Sequence, residues 1–515
     1  MSQIRFFVKR VKRVNKSKKS IYNAASSMLL TIFNGIFGIV VIQSIVQSYG
    51  SDFNGLNSTV NQFINMILVV EGGFTLAINV ALFKPFSEND VSKANAILIA
   101  GEKIFKKIGL LFLLIGFIGS VLSVFVIKTD VSTFIVFCSF FFMVLSTFVN
   151  LFFATKYRLI IQTDQKEYII NIIQIITLVA SQLLIIYSIK NGWGMLSIRL
   201  IMMIFSIISS IMIIIYSRNF YSIFNFKSKE PDYKSIKGTG DIFVQKITSM
   251  LYGAFPTIFI ASTVGTVFTS VYIVYNSIFA LVKNVIYSLV NAPRMGFGKL
   301  IIEREKKYVF EIFIEYEYII LNVLLLSLMC TKSLTVPFIK LYTRNMNDAN
   351  YENLILIYLM LFITFFEIIH IPSGNIINMC GAFKIGRKIQ TVSAIILVVS
   401  MVIFNIFFGF IGTLVGVLVT SIVLAILEIY YVHVVYFEST IFSYFKRYTV
   451  IILFCFLISY VQDKLIAYEP YNYFYLFLLA LLIFTIDSLS LLGFNLLFKR
   501  ELTKKILKRL KILRR

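Results

Sequence analysis

Apolar runs of about 20 residues recur from one end of the chain to the other, each bounded by glycine, asparagine or clustered charge. Each is long enough to cross a bilayer core of about 30 Å as an α-helix. The pattern predicts spans at 26–48, 59–83, 108–127, 131–155, 168–189, 194–217, 241–263, 266–290, 308–331, 353–378, 389–410, 412–436, 443–461 and 471–497. The polar stretches between them are short, and the longest, at the two ends and around 218–240, are too small to hold a soluble core. The expected fold is therefore all-α and integral to a membrane.

Polar residues inside these runs also recur at helical spacing. In the second span, Asn54, Asn57, Asn61, Asn65, Gly72, Thr75 and Asn79 fall on one stripe, with Glu71 at its edge. Such a stripe cannot face lipid cheaply, so it should face the bundle interior or a water-filled cavity. Gly72 and Gly73 leave room there for a close approach or a local bend. In the eighth span Tyr272, Asn276, Lys283, Tyr287 and Arg294 share a face. Lys283 and Arg294 are about 16 Å apart along the axis, and two cations on one wall invite an anion. The tenth span carries Glu367, His370, Gly374 and Asn378 on one face, with Pro372 expected to kink it and Pro256 expected to do the same in the seventh.

An offset of 215 residues aligns Gly50 with Gly265, Phe53 with Phe268, Asn61 with Asn276 and Ala77 with Ala292. The second and eighth spans then run the same way across the membrane, as two parallel six-span lobes require. The expected organisation is a basic N-terminus (1–20), an N-lobe (21–217), a linker (218–240), a C-lobe (241–436), two added spans (437–498) and a basic amphipathic tail (499–515).

Charge adds a topology. Of 49 Lys and Arg, only Lys128, Lys190, Lys332, Lys340, Arg344 and Lys464 fall in alternate loops, while Arg199, Lys246 and Lys283 lie within spans. Positive loops stay cytoplasmic, so an even number of spans with both termini cytoplasmic is expected. The net charge of +24 and the basic ends then point to anionic headgroups and not to nucleic acid. Ile506, Leu507, Leu510 and Leu513 share a helical side that should lie on the inner leaflet. A chain that is 58% hydrophobic and 14% charged, with mean hydropathy +0.85, agrees. Cys138, Cys330, Cys380 and Cys455 lie in or beside spans with no CxxC spacing and read as packing residues, and no P-loop or metal motif is present.

Each intramembrane charge has two readings. Glu71 is either an ion-coupling carboxylate or a structural partner of a lysine, with Lys283 one such partner. Lys283 either meets an anion or reaches the inner interface. Arg199, Lys246 and Glu428 lie near span ends and are expected to snorkel, Asp487 to bind a neighbouring helix, and His370 to serve packing more than relay.

The stretch YGSDFNGLNSTVNQFINMILVVEGGFTLAINVALFKP, the lysine-rich segment after it and IPSGNIINMCGAFK together resemble the Wzx-type polysaccharide flippases of the multidrug/oligosaccharidyl-lipid/polysaccharide exporter superfamily. The resemblance implies a V-shaped pair of six-helix lobes in a bacterial plasma membrane. These would move an undecaprenyl-pyrophosphate-linked oligosaccharide from inner to outer leaflet for capsule or exopolysaccharide synthesis. It also implies other membrane proteins of polysaccharide assembly as partners, a basic cavity for the pyrophosphate, and Glu71 at a family-like E-G position. No enzyme activity and no cofactor are expected, with H⁺ or Na⁺ as coupling ion. By analogy with lipid II flippases, spans 13 and 14 would form an apolar groove for the lipid tail. The alternatives are a lipid II flippase, whose N-lobe wall would carry arginines, and a drug/cation antiporter, expected to carry an acid in span 1, where residues 26–48 have none. A membrane glycosyltransferase or polymerase would need a large loop or metal-binding acids, and the longest outer loop, about 332–352, is short.

Overall fold

The computed structural model describes residues 16–512 except 89, 223, 225–229, 237–239, 292, 345, 347 and 466–469, together with the helical course but not the side chains of certain others, among them Gly72, Gly73, Lys246, Arg294, Leu507 and Leu510. Every regular element among the described residues is helical. Eleven helices are long and apolar enough to cross a membrane, with shorter apolar helices at Ala77–Phe86 and Met250–Thr263.

Two of the long helices each contain two predicted spans. The first, α1 (Lys16–Glu88), breaks at Gly50, whose φ of 83° and ψ of 167° suit glycine. A second break, at Gly409 (φ 56°, ψ −131°), divides Phe383–Tyr430. Its halves pack closely: Ser400 Oγ donates to the Gly416 carbonyl at 3.0 Å, and a Cβ on Gly416 would strike the Met401 backbone. Counting these as pairs, with the shorter apolar helix Met250–Thr263 as the seventh, accounts for all fourteen predicted spans.

The remaining elements of the first half are α2 (Val91–Val126), α3 (Thr133–Val149), a π-helical turn (Asn150–Ala154), α4 (Thr155–Thr163), α5 (Glu167–Lys190) and α6 (Met195–Phe220). In the second half α7 (Gly240–Thr263), α8 (Thr266–Asn291), α9 (Arg294–Glu303) and α10 (Lys306–Tyr342) lead to α11 (Leu354–Ile369) and α12 (Ile371–Met379). Next come α13 (Phe383–Tyr430), a π-helical turn (Tyr431–Tyr436), α14 (Ile441–Leu465), α15 (Tyr473–Phe498) and α16 (Arg500–Ile512). The tenth span breaks between α11 and α12 at His370, with Pro372 in the first turn of the new helix, where its missing N–H costs nothing. Pro256, expected to kink span 7, sits in a helix that runs on to Thr263.

The chain forms two compact units, one of residues up to Met250 with Thr257–Ser270, the other of Leu251–Pro256 with Val271 onward. In the first unit, loops sort into two ends. At one end Asp164, between α4 and α5, accepts from Lys19 (2.9 Å), Lys166 (2.6 Å) and Tyr221 (2.7 Å), and Asp232 N donates to the Ala96 carbonyl. At the other, Asp52 accepts from Thr129, from the Asp130 and Val131 amides and from Thr266, while Asn54 Nδ2 donates to Ser270 Oγ at 2.7 Å. Loops expected on one side of the membrane thus gather at one end.

The Asp164 carboxyl shows which effect wins in that cluster. Burial pushes it up, but the bonds from Lys166, Lys19 and Tyr221 outweigh burial and hold it below the usual carboxylate range. Burial and the adjacent Asp164 push the Tyr221 phenol up.

In the second unit, α16, expected to lie on the inner leaflet, packs against the protein. Leu502 and Ile506 pack against the cluster around Tyr318, Tyr448 and Phe494, and Lys505 pairs with Glu315 at 3.0 Å and Glu311 at 3.5 Å. Those carboxylates hold the Lys505 ammonium above its usual value. Leu507, Leu510 and Leu513 lie outside the described side chains.

Candidate functional site

In the first unit, the polar stripe of α1 is divided between two neighbours. Its outer part faces α6, where Arg199 is wholly buried. Arg199 Nη1 donates to Asn61 Oδ1 at 3.0 Å and its Nη2 to the Asn57 carbonyl. Snorkelling is therefore wrong for Arg199: the polar groups of α1 replace water around its guanidinium, so it need not extend to an interface. Asn61, on the stripe expected to face the bundle interior or a cavity, has its Oδ1 taken up by this bond, whereas Asn65 is exposed.

The inner part faces α4. Asn79 Nδ2 donates to Gln162 Oε1 at 3.1 Å, and its Oδ1 accepts from Thr163 at 3.2 Å. Thr75 Oγ1 donates to Glu71 Oε1 at 2.9 Å. Arg158 on α4 lies within electrostatic reach of Glu71 and Glu167, yet no carboxylate bonds it and its Nε is buried without a partner. The π turn before α4 adds a residue to the helical repeat and so rotates everything after it. Lys156 is thereby turned to Glu102 at 2.7 Å. Arg158 is the cation that reading spans by apolar period misses, because the run ends at Ala154 while the helix continues to Thr163.

In the second unit, Lys283 Nζ lies 3.0 Å from Glu367 Oε2, both side chains mostly buried. Tyr272 is buried and Tyr287 half-buried within electrostatic reach of Glu367, while Asn276 is half-buried and makes no hydrogen bond. Lys283 is thus paired within its own unit. The Arg294 side chain, its expected companion at an anion site, lies outside the described side chains, as does Lys246. Asn378 Nδ2 bonds back to the Gly374 carbonyl at 2.9 Å. His370 Nδ1 is 2.8 Å from Glu428 Oε2. Glu428, expected to snorkel, is instead buried, since His370 and the bare backbone of Gly374 give its carboxylate a place inside.

Further acid groups escaped the sequence reading. Glu317 accepts from His433 Nε2 at 3.0 Å and from Tyr448 at 3.1 Å, all three buried. His433 stands on the second π turn, where apolar periodicity again gives no phase. Asp487, as expected, binds neighbours: Gln462 Nε2 and, at 3.4 Å, Cys330 Sγ. An open groove of about 190 Å³ runs between α10, α11 and α14, lined by Leu325, Met329, Phe362, Phe365, Phe456 and Tyr460. Its walls come from spans 9, 10 and 13, and span 14 contributes none of its lining residues. Among the described residues, no group of three or more His, Cys, Asp or Glu could hold a metal.

No protein-family model matches the sequence, and no curated protein sequence matches it significantly. Solved structures do. An inward-facing multidrug resistance MATE transporter of the MOP superfamily matches at TM-score 0.65 and 13% identity, over 79% of this chain and 96% of that one. The lipid II flippase MurJ, in an inward closed conformation, matches at TM-score 0.62 and 15% identity, over 92% of this chain and 99% of that one. MATE in a bent conformation matches at TM-score 0.53 and 14% identity over 81% of this chain. The chain has the membrane-helical fold shared by the MATE transporters and the MurJ flippase.

Proposed function

We propose that this protein is a flippase that carries a polyprenyl-pyrophosphate-linked oligosaccharide across a bacterial plasma membrane by alternating access. The observation that carries the reading is the extent of the structural match, which spans 92% of the chain for the lipid II flippase against 79% for the multidrug transporter. The multidrug transporter is matched over 96% of its own length and still leaves about a fifth of this chain without a counterpart.

The chemistry supports the same class. A pyrophosphate and sugar head cannot cross hydrocarbon alone. Arg158 has no carboxylate bonded to it and sits beside the polar stripe of α1, so it is the cation in the first unit best placed to meet a phosphate. Asn65 and Asn276 keep their amides unbonded and suit sugar hydroxyls. Glu71, bonded by Thr75, remains the ion-coupling candidate of this unit. The apolar groove beside α14 offers a path for the tail.

Mass spectrometry of lipid extracts from a deletion strain tests the reading. Accumulation of a polyprenyl-pyrophosphate oligosaccharide is expected. An unchanged lipid-linked pool, with increased sensitivity to cationic drugs, would favour the antiporter instead.

A further inference from the structure

The chain contains two histidines, and each is held by a buried glutamate in the second unit. Their settings differ. His433 is wholly enclosed, its Nε2 on Glu317 and its Nδ1 buried without a partner. His370 stands at the break between α11 and α12, bonds Glu428 through Nδ1 and keeps Nε2 unbonded, with the side chain 12% exposed. One imidazole is sealed and the other reaches a surface.

We propose that His370 and Glu428 form a proton-binding site at the hinge of the broken tenth span. With Nδ1–H donated to Glu428, Nε2 takes up a proton to give an imidazolium facing a carboxylate, and releases that proton from the same nitrogen. The protonated pair draws α12 onto α13, and the neutral imidazole holds it less firmly. Gly374 is part of the device: a Cβ there would lie 2.5 Å from Glu428 Oε2, so any larger residue would push the carboxylate aside from its present place against α12.

The surrounding groups do not neutralise the site in advance. Glu367, one turn before His370, is already paired with Lys283, and Tyr252, Tyr272 and Tyr287 lie within its electrostatic reach. Tyr252 bonds Ser421, two turns before Glu428 on α13. On the far side of the break, Glu317, Tyr444 and Tyr448 share a small void with Ile369 and Pro372, and Glu317 is committed to His433 and Tyr448. Arg447 lies within electrostatic reach of Tyr444 and Tyr448.

A coupling role for this site rests on the transporter reading, but its chemistry can be tested without transport. Full-length protein labelled with ¹⁵N-histidine and held in lipid nanodiscs should give two imidazole environments, assigned with His370→Gln. Between about pH 5 and about pH 9, one (His370) is expected to change protonation and the other (His433) to stay fixed. Glu428→Gln should move the His370 midpoint by about one pH unit or more and leave His433 unmoved. Gly374→Ala, which removes no titratable group, should move the His370 midpoint as well. An unresponsive His370, or the same midpoint in Glu428→Gln and the parent, would overturn the site. A titrating His370 that follows Glu428, in a protein that flips no polyprenyl-pyrophosphate oligosaccharide, would count against the transport reading and leave the site standing.

Discussion

Arg199 Nη1 lies 3.0 Å from Asn61 Oδ1, so a buried cation of α6 is held by the polar stripe of α1. No carboxylate pairs with it among the described residues. Arg199→Leu leaves Asn61 Oδ1 without its donor, a cost of about 1–3 kcal/mol for a buried group left unpaired. Thermal unfolding in detergent should show that loss. Adding Asn61→Leu to Arg199→Leu should cost less than Asn61→Leu does in the parent. Strictly additive effects would mean that the bond contributes nothing.

The division of that stripe marks what the sequence could and could not reveal. Fourteen spans, the breaks at Gly50 and Gly409 and the interruption before Pro372 follow from apolar run length and from glycine and proline chemistry, which are local properties. That the stripe faces protein was legible for the same reason, since lipid offers its amides nothing. Which residue meets it was not. Arg158 and His433 follow or stand on π turns, each of which shifts the helical phase by about one residue, and no periodicity counted across such a turn predicts their facing. Glu428 was misplaced because its burial depends on Gly374, 54 positions earlier in sequence and adjacent only in the folded chain.

Lys283 and Glu367 separate a structural pair from a cargo contact. Lys283→Ala should lower protein level as well as polymer export, because it leaves Glu367 buried without its cation, a loss of about 3–5 kcal/mol. Lys283→Met with Glu367→Met should recover protein level but not export. Recovery of both would make the pair purely structural. Lys283→Arg should be partly tolerated.

Arg158 and Glu71 divide binding from coupling. Arg158→Ala should reduce polymer export by about tenfold or more at normal protein level, with Arg158→Lys intermediate. Glu71→Gln keeps the Thr75 contact but cannot titrate. It should insert normally and lose the response of export to a collapsed proton gradient. Export that still follows the gradient would place the first unit's proton site elsewhere.

The Asp164 clamp should set an acid limit on stability. Its carboxyl is held below the unfolded value of about 3.9, so its contribution is complete above that pH and is lost as pH falls through the lower, folded value. Unfolding followed from about pH 6 to about pH 3 should show stability falling below about pH 4. Asp164→Asn should be less stable at neutral pH and lack that component of the acid slope. An identical slope in the variant would assign the acid sensitivity to other groups.

The most direct measurement uses purified protein in liposomes that carry a polyprenyl-pyrophosphate oligosaccharide with a fluorescent sugar head, quenched from outside by dithionite. Without flipping, the inner-leaflet share of the fluorescence stays protected. Flipping by this protein should make that share accessible, and Arg158→Ala should restore its protection. Protection equal to that of protein-free liposomes, in vesicles shown to contain folded protein and to hold a proton gradient, would contradict the account.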